Sequence, residues 1–210
     1  MADYELISST GCGSAVVELA FALTDLALRV TEISYGEPGS QRDRLLSLNP
    51  LGQVPVLLLP GGTLLTESAA MLLHLDDVAP GAGLLPSRDS AERPEALNQL
   101  LLLVAAIYPT VTFSDPPENW TLPGPPAERL GQLLGERKEG LWRRLEYAAA
   151  PAPFLYGERP SVIDLYVAVM TRWRPGPAWF RANTPKLMSV AAAVASYPPL
   201  APIVAHHFPS

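Results

Sequence analysis

The chain has 210 residues, of which 48% are hydrophobic and 17% charged, with a formal net charge of −6 and a pI near 5.1. This acidic balance argues against binding to nucleic acid or to anionic membranes. No apolar stretch approaches the ~18 residues that a membrane span needs, and no basic segment precedes the apolar run 15–23, so neither a span nor a signal peptide is predicted. The single cysteine, Cys12, cannot form an internal disulfide, which predicts a reducing cytoplasm.

The first half of the chain alternates strand and helix signals. Tyr4–Ser8 is a predicted strand, residues 15–27 a helix that is apolar on nearly every face, and residues 28–35 a half-buried strand. The alternation in this second strand slips at residues 31–32, which allows a bulge or an early end. A short helix over residues 41–48 then ends before Pro50.

A hairpin and a third helix follow. Residues 54–59 and 63–65 flank the turn Pro60-Gly61-Gly62, and residues 68–77 have a helical pattern. The order βαβα followed by ββα predicts a parallel first strand pair and antiparallel hairpin strands. This is the order of a thioredoxin-like domain.

The second half is predicted to be entirely helical. Residues 80–91 are rich in Pro, Gly and Ser and are predicted to link a first domain, residues 1–79, to a second, residues 92–210. Ser161 followed by Asp164 predicts a capping box at the start of one helix. The prolines within residues 114–126 exclude a helix there. The predicted helices cover residues 94–107, 127–149, 161–173, 188–197 and 200–206.

The most informative motif is Asn49-Pro50-Leu51-Gly52-Gln53-Val54-Pro55, followed by Glu67-Ser68-Ala69-Ala70. Pro55 cannot donate a ladder hydrogen bond, so it belongs at a strand start or edge, and the backbone of Val54 stays free to pair with an extended peptide. Glu67-Ser68 predicts a helix N-terminus, whose unpaired N–H groups suit a carboxylate. Together they suit a small peptide with a terminal carboxylate.

With this spacing the two motifs resemble the N-P-x-G-x-V-P and E-S-x-A pattern of the glutathione S-transferase superfamily, and the resemblance covers essentially the whole chain. It implies an α/β thioredoxin-like N-terminal domain plus an all-α C-terminal domain. It also implies a cytoplasmic homodimer of bacterial type that conjugates glutathione to an electrophilic, apolar small molecule, as in detoxification. Glutathione would be a substrate, and no metal would be required.

The resemblance also assigns the glutathione-binding residues. Val54 would pair its backbone with glutathione, and the Val54–Pro55 peptide would be cis, which is uncommon but costs little at an X–Pro bond. Glu67 and Ser68 would hold the γ-glutamyl end. Gln53, at a position that is often lysine in relatives, would contact the glycyl arm without supplying a charge. Tyr108 and Phe113 would line the pocket for the apolar co-substrate.

The group that activates the thiol stays open. Relatives use a Tyr near the first strand, or a Ser or Cys at the start of the first helix. Alignment of Phe21-Ala22-Leu23 with their I-A-L triplet puts Ser14 at or next to the usual Ser position. Ser14, or Ser9 or Thr10, would favour conjugation, whereas Cys12 would favour thiol transfer or reduction. Backbone N–H groups of the turn over residues 11–14 could also activate the sulfur alone. A glutathione-binding protein without turnover is a further alternative.

Overall fold

A computed structural model describes residues 3–34 and 38–209. Tyr35 and Gly36, which the sequence assigns to the end of the second strand and the loop after it, lie outside the described residues. The elements of the first half are β1 (Tyr4–Ser8), α1 (Ser14–Phe21), β2 (Leu28–Glu32), α2 (Ser40–Leu48), β3 (Val56–Leu58), β4 (Leu64–Leu65) and α3 (Ser68–Val78).

The four strands form one mixed sheet in the order β2-β1-β3-β4. β1 runs parallel to β2 and antiparallel to β3, and β3 runs antiparallel to β4, as the crossover and the hairpin predicted. β2 ends at Glu32, where the apolar alternation slips. α1 ends at Phe21, six residues before its predicted end. The Thr24 hydroxyl donates a hydrogen bond to the carbonyl of Phe21 and accepts one from the N–H of Leu26, so these groups do not continue the helix.

The second half is helical. Its elements are α4 (Arg93–Leu102), a π-helical turn (Leu103–Ile107), α5 (Tyr108–Thr112), α6 (Pro125–Ala148), α7 (Val162–Met170), α8 (Pro177–Asn183), α9 (Pro185–Ser196) and α10 (Ala201–His207). The thioredoxin-like plus all-α architecture is therefore confirmed, while the division at residues 80–91 stays a prediction.

Several features of the helical half differ from the sequence-based expectation. α8 was not predicted, and the helix expected to end at residue 107 continues as α5. Pro109 stands at the start of α5 after a π-helical turn, where its missing N–H is tolerated. The prediction that prolines exclude a helix from residues 114–126 is also wrong, because a 3₁₀ turn covers Pro117–Asn119 and α6 begins at Pro125. Proline is tolerated in the first turn of a helix, where its missing N–H would have no partner.

α7 joins the two halves of the chain. All nine of its residues are buried, and it packs against both α1 and α9. The predicted capping box at its start is confirmed. Asp164 Oδ2 accepts a hydrogen bond from the N–H of Ser161 at 2.7 Å, and the Ser161 hydroxyl accepts one from the N–H of Asp164. The N–H of Val162 also donates to Leu84 O at 2.9 Å, which ties α7 to the segment after α3. The core is therefore continuous through α7.

One helical stretch among the described residues, Arg93–Thr112, is long and apolar enough to cross a membrane by composition. The bent pair Pro185–Ser196 and Ala201–His207 meets the same criterion only if it is counted as one span. Core helices of soluble proteins pass this test as well. The sequence-based expectation that no stretch reaches this length is thus corrected, without evidence for a membrane.

Candidate functional site

A cleft of about 700 Å³ lies where the turn before α1, the segment before β3, α5, α6 and the segment after α7 meet. It brings together four of the residues predicted for the site: Cys12, Gln53, Val54 and Tyr108. Its other lining residues are Gly11, Gly13, Val111, Thr112, Ser114, Asp115, Asn119, Trp120, Lys138, Arg172, Trp173 and Arg174. The cleft thus has one wall from the sheet side and one from the helical half.

Val54 supplies free backbone to this cleft. It lies two residues before β3, and within the described residues its N–H and C=O make no hydrogen bond. The Val54–Pro55 peptide is cis, as predicted, and Pro55 is buried behind it. A backbone donor and acceptor that face a cleft can pair with an extended peptide.

Asn49 holds this segment in place, a role that sequence reasoning missed. Its side-chain amide donates to Gln53 O at 2.9 Å, its Oδ1 accepts the N–H of Leu51 at 3.2 Å, and its carbonyl accepts the N–H of Gly52 at 2.8 Å. Asn49 is itself buried. The motif therefore fixes the loop that carries Gln53 and Val54 into the cleft.

The turn that carries Cys12 is held from the far end of the chain. Trp173 Nε1 donates to the carbonyl of Gly11 at 2.9 Å, and the N–H of Gly11 donates to His207 Nδ1 at 3.2 Å. Gly11 has φ of +74°, a conformation that favours glycine. Cys12, which is partly exposed, follows directly and lines the cleft.

The other three candidates for thiol activation are directed away from the cleft. Ser14 is fully buried; its Oγ lies 3.0 Å from Ser8 Oγ, accepts the N–H of Ser9 at 3.1 Å and donates to the carbonyl of Ser9 at 3.2 Å. The Thr10 hydroxyl donates to Glu32 on β2, and this hydrogen bond is the first cause that lowers the pKa of Glu32. None of Ser9, Thr10 or Ser14 lines the cleft.

A buried polar cluster is hydrogen-bonded to the turn that carries Cys12. Because His207 Nδ1 accepts from Gly11, its Nε2 carries the proton and donates to Glu18 Oε1 at 3.1 Å. The Ser8 hydroxyl contacts the same Glu18 oxygen. The His207 side chain is 1% exposed and that of Glu18 11%. The cluster therefore joins α10, α1 and the end of β1 beneath Cys12.

Glu67 and Ser68 stand at the N-terminus of α3, outside the lining of the cleft. The N–H groups of Ser68, Ala69 and Ala70 have no partner within the helix, and no side chain caps them. The Ser68 hydroxyl lies 2.6 Å from the buried Tyr166 phenol. Burial raises the pKa of Tyr166, so the phenol keeps its proton at neutral pH. Tyr166, on α7, is a second residue that sequence reasoning missed.

Tyr108 and Phe113 differ in their placement. Tyr108 lines the cleft and packs edge-on against Trp173, with ring centroids 5.3 Å apart. Phe113 does not line it; it packs edge-on against Trp120, at 4.6 Å, and Trp120 is the ring that faces the cleft. The predicted aromatic wall is therefore formed by Tyr108, Trp120 and Trp173.

Replacing Gly13 with alanine is expected to displace the Tyr108 ring. A Cβ at Gly13 would lie 2.3 Å from the Tyr108 hydroxyl oxygen and 3.2 Å from its ring carbon Cζ. Overpacking of this kind costs about 1–3 kcal/mol. Chemical denaturation should show Gly13→Ala to be destabilised, with most of the loss recovered in Gly13→Ala/Tyr108→Phe.

Gly140→Ala in α6 is the matched control, because nothing lies within 4 Å of its Cβ position. It should stabilise the helix by up to about 1 kcal/mol. Equal effects of Gly13→Ala with and without the Tyr108 hydroxyl would contradict the contact.

Comparison with known proteins starts from the first half of the chain. Residues 14–78 match the family model for the glutathione S-transferase N-terminal domain. The uncharacterized GST-like protein YncG of Escherichia coli K12 is 36% identical over 191 residues, which cover 90% of this chain and 91% of that protein. A relation of this extent defines the class of protein: a thioredoxin-like domain joined to a helical domain, with the cleft between them.

Solved structures agree along the whole chain. A glutathione transferase homologue from Sulfitobacter, with bound glutathione, has a TM-score of 0.83 at 22% identity, with 97% of each chain covered. A sphingomonad glutathione S-transferase complexed with glutathione has a TM-score of 0.76 at 25% identity, covering 98% of this chain and 100% of that one. The chain belongs to the glutathione S-transferase superfamily. The predicted enzyme class, a glutathione transferase, agrees with this family, and membership leaves the reaction open.

Proposed function

We propose that this protein binds glutathione in the cleft and uses Cys12 for thiol transfer between glutathione and disulfides. The observation that carries the proposal is that Cys12, alone among the four residues considered for the sulfur chemistry, lines the cleft that also contains Val54. Val54 would pair with the cysteinyl backbone of glutathione. Glu67 and Ser68 would hold its γ-glutamyl end, and Gln53 its glycyl arm.

The charges and donors of the site support this placement. The free N–H groups at the start of α3, with the Ser68 hydroxyl, suit the γ-glutamyl carboxylate, because a helix N-terminus favours an anion. Glu67, which is exposed beside them, suits the γ-glutamyl ammonium. Tyr166 holds the Ser68 hydroxyl at 2.6 Å and so orients it.

The chemistry is a pair of thiol–disulfide exchanges. The Cys12 thiolate attacks the glutathionyl sulfur of a mixed disulfide, which forms a Cys12–glutathione disulfide and releases the substrate as a thiol after it takes up a proton. A second glutathione thiolate then attacks the glutathionyl sulfur, which restores Cys12 and yields glutathione disulfide. In the net reaction one glutathione thiol replaces the substrate sulfur in the disulfide, so the mixed disulfide and glutathione yield the substrate thiol and glutathione disulfide.

Conjugation to an electrophile is the second candidate. The Tyr108 hydroxyl lies against Gly13 on the lining of the same cleft, where an O–H donor could stabilise a glutathione thiolate. In that case Cys12 would be dispensable and Tyr108 would not. The same purified protein can be assayed with an aryl halide and with a disulfide to compare the two reactions.

Millimolar glutathione is expected to raise the thermal midpoint of the protein. A ligand at 100 times its Kd stabilises the folded state by about 2.7 kcal/mol, which is a shift of several degrees for a chain of this size. A scanning-fluorimetry titration measures the shift, and Ser68→Ala should require a higher glutathione concentration for the same effect. A glutathione concentration of about 10 mM lies well above the Kd of a functional site, so the same relation requires a measurable shift there. Absence of any shift at that concentration would contradict glutathione binding.

We also propose a cytoplasmic homodimer formed through α3 and α4. Only 33% of the most apolar part of Arg93–Thr112 is buried within one chain, and Leu101 on α4 is 60% exposed. Val78, at the end of α3, is 46% exposed. An apolar surface of this kind suits a second subunit. Sedimentation at micromolar concentration would return the mass of one chain if the proposal is wrong.

A further inference from the structure

Lys138 is a lysine with a buried side-chain stem, and the fold provides no ion-pair partner for it among the described residues. It lies on α6, is 4% exposed and lines the cleft. Across residues 3–34 and 38–209, its ammonium group makes no hydrogen bond and stands within salt-bridge distance of no carboxylate. The ammonium nitrogen itself is not sealed from solvent, so the side chain buries its stem and presents its charge to the cleft, where an anion can pair with it.

The surroundings of Lys138 do not supply that anion. Burial lowers its pKa, and the nearby Arg174 lowers it further; Asp115 and Glu139 act in the opposite direction. Glu139 is already paired with Arg143 on α6. Asp115 is exposed, at the start of the proline-rich loop. Lys138 therefore lies near a second cation, Arg174, while the nearby carboxylates act on it from beyond salt-bridge distance.

The helical wall of the cleft is positively charged in a chain whose net charge is −6. Three cations line it, Lys138, Arg172 and Arg174, against the single carboxylate of Asp115. Positive charges gathered in a concave site attract small anions and raise the local concentration of those anions. The side-chain amide of Asn119 lies on the same wall and can donate hydrogen bonds.

Apolar and aromatic surface adjoins this charged wall. Tyr108, Val111, Trp120 and Trp173 line the same cleft as Cys12 and the cations. We infer that the second substrate has an apolar or aromatic body and an acidic group, a carboxylate or sulfonate, that is bound by Lys138 and Arg174. This inference rests on the proposed function, and it replaces the purely apolar co-substrate that the sequence predicted.

The inference can be tested by equilibrium binding, without turnover. The probes are 8-anilino-1-naphthalenesulfonate and N-phenyl-1-naphthylamine, which share their ring system and differ in the sulfonate. Both are titrated by fluorescence in the presence of saturating glutathione, so that the glutathione site is filled. The sulfonate probe is expected to bind at least about tenfold more tightly than the neutral amine, which is about 1.4 kcal/mol.

Lys138→Met and Arg174→Gln are the test variants. Methionine keeps the unbranched shape of lysine and removes the charge, so the packing of the buried stem is largely retained. Arg174 is exposed, so its variant tests the inference even if Lys138→Met fails to fold. Each variant should reduce the preference for the sulfonate by about tenfold or remove it, while the affinity for the neutral amine stays within about twofold.

Arg137→Met is the matched control. Arg137 precedes Lys138 on α6 but is exposed and does not line the cleft. It removes the same charge from the same helix, and the sulfonate preference should be unchanged. An equal effect of Arg137→Met would show that only the net charge matters and would overturn the inference.

Two further outcomes would also overturn it. Equal affinity of the native protein for both probes would show that the cations do not select an acidic group. The titrations are therefore repeated without glutathione, and a sulfonate preference that appears only in its absence would show that Lys138 serves glutathione itself. Failure of glutathione to shift the thermal midpoint is a separate result that contradicts the proposed function and leaves the preference between the probes measurable.

Discussion

Replacing Asp164 with alanine is expected to lower the free energy of unfolding by about 2–4 kcal/mol, because it leaves several buried donors without an acceptor. Asp164 is 0% exposed; its Oδ1 accepts the N–H of Leu155 at 2.9 Å, and its Oδ2 accepts the N–H and the hydroxyl of Ser161 at 2.7 and 2.6 Å. Burial is the first cause that raises the pKa of Asp164, and these hydrogen bonds lower it. The cost of burying the carboxylate offsets part of their stabilisation, which keeps the expected loss within this range.

Equilibrium denaturation in urea measures this loss. Ser161→Ala should cost about 1 kcal/mol, since it removes the cap and leaves Asp164 in place. Asp89→Ala is the matched control, because Asp89 is exposed and should change stability by less than about 0.5 kcal/mol. If Asp164→Ala and Asp89→Ala unfold at the same urea concentration, the capping box does not stabilise the start of α7.

Replacing Cys12 with alanine is expected to reduce glutathione-dependent reduction of bis(2-hydroxyethyl) disulfide by about 100-fold or more, which corresponds to about 2.7 kcal/mol of activation free energy. Alanine cannot form the mixed disulfide, so only free glutathione can attack the substrate. Cys12→Ser should be equally inactive, because an alcohol is a poor nucleophile at neutral pH without an adjacent base. Initial rates, normalised to folded protein, provide the measurement.

Ser14→Ala separates a reacting group from a structural one. Its hydroxyl is confined to the buried contacts with Ser8 and Ser9, so we expect a loss of about 1 kcal/mol in stability and an unchanged rate per folded molecule. Full activity of Cys12→Ala, together with inactivity of Ser14→Ala, would reverse the assignment. Retention of aryl-halide conjugation in Cys12→Ala would instead favour the reaction that involves Tyr108.

The features that could be predicted from the sequence are local. Ser161 and Asp164 stand three residues apart, and the capping box needs only that spacing. Pro55 has no N–H to donate to a strand ladder, and β3 begins directly after it, at Val56. The parallel pairing of β1 with β2 follows from the helix between them, since a crossover returns the chain in the same direction.

Helical periodicity in the sequence indicates that Lys138 lies on the apolar face of its helix. Lys138 stands four residues after Leu134 and three before Leu141, on the apolar face of α6. A charged residue at such a position is either paired or part of a site. Its side-chain surroundings come from α5 and the segment after α7, however, and no local pattern indicates which segments will cover a given turn of a helix.

What the sequence determined by itself was the frame of the candidate site: the Asn49–Pro55 loop, the start of α3 and the order of the strands. Each depends on residues that are close in the chain, where spacing and backbone chemistry decide the structure. Only the tertiary structure decided which of the residues from Ser9 to Ser14 faces the cleft. The turn there is oriented by Trp173 and His207, which are 162 and 196 positions from Gly11. A rotation of one residue in such a turn exchanges a buried hydroxyl for a partly exposed thiol, so the side chain that the turn presents to the cleft depends on contacts that only the folded chain makes.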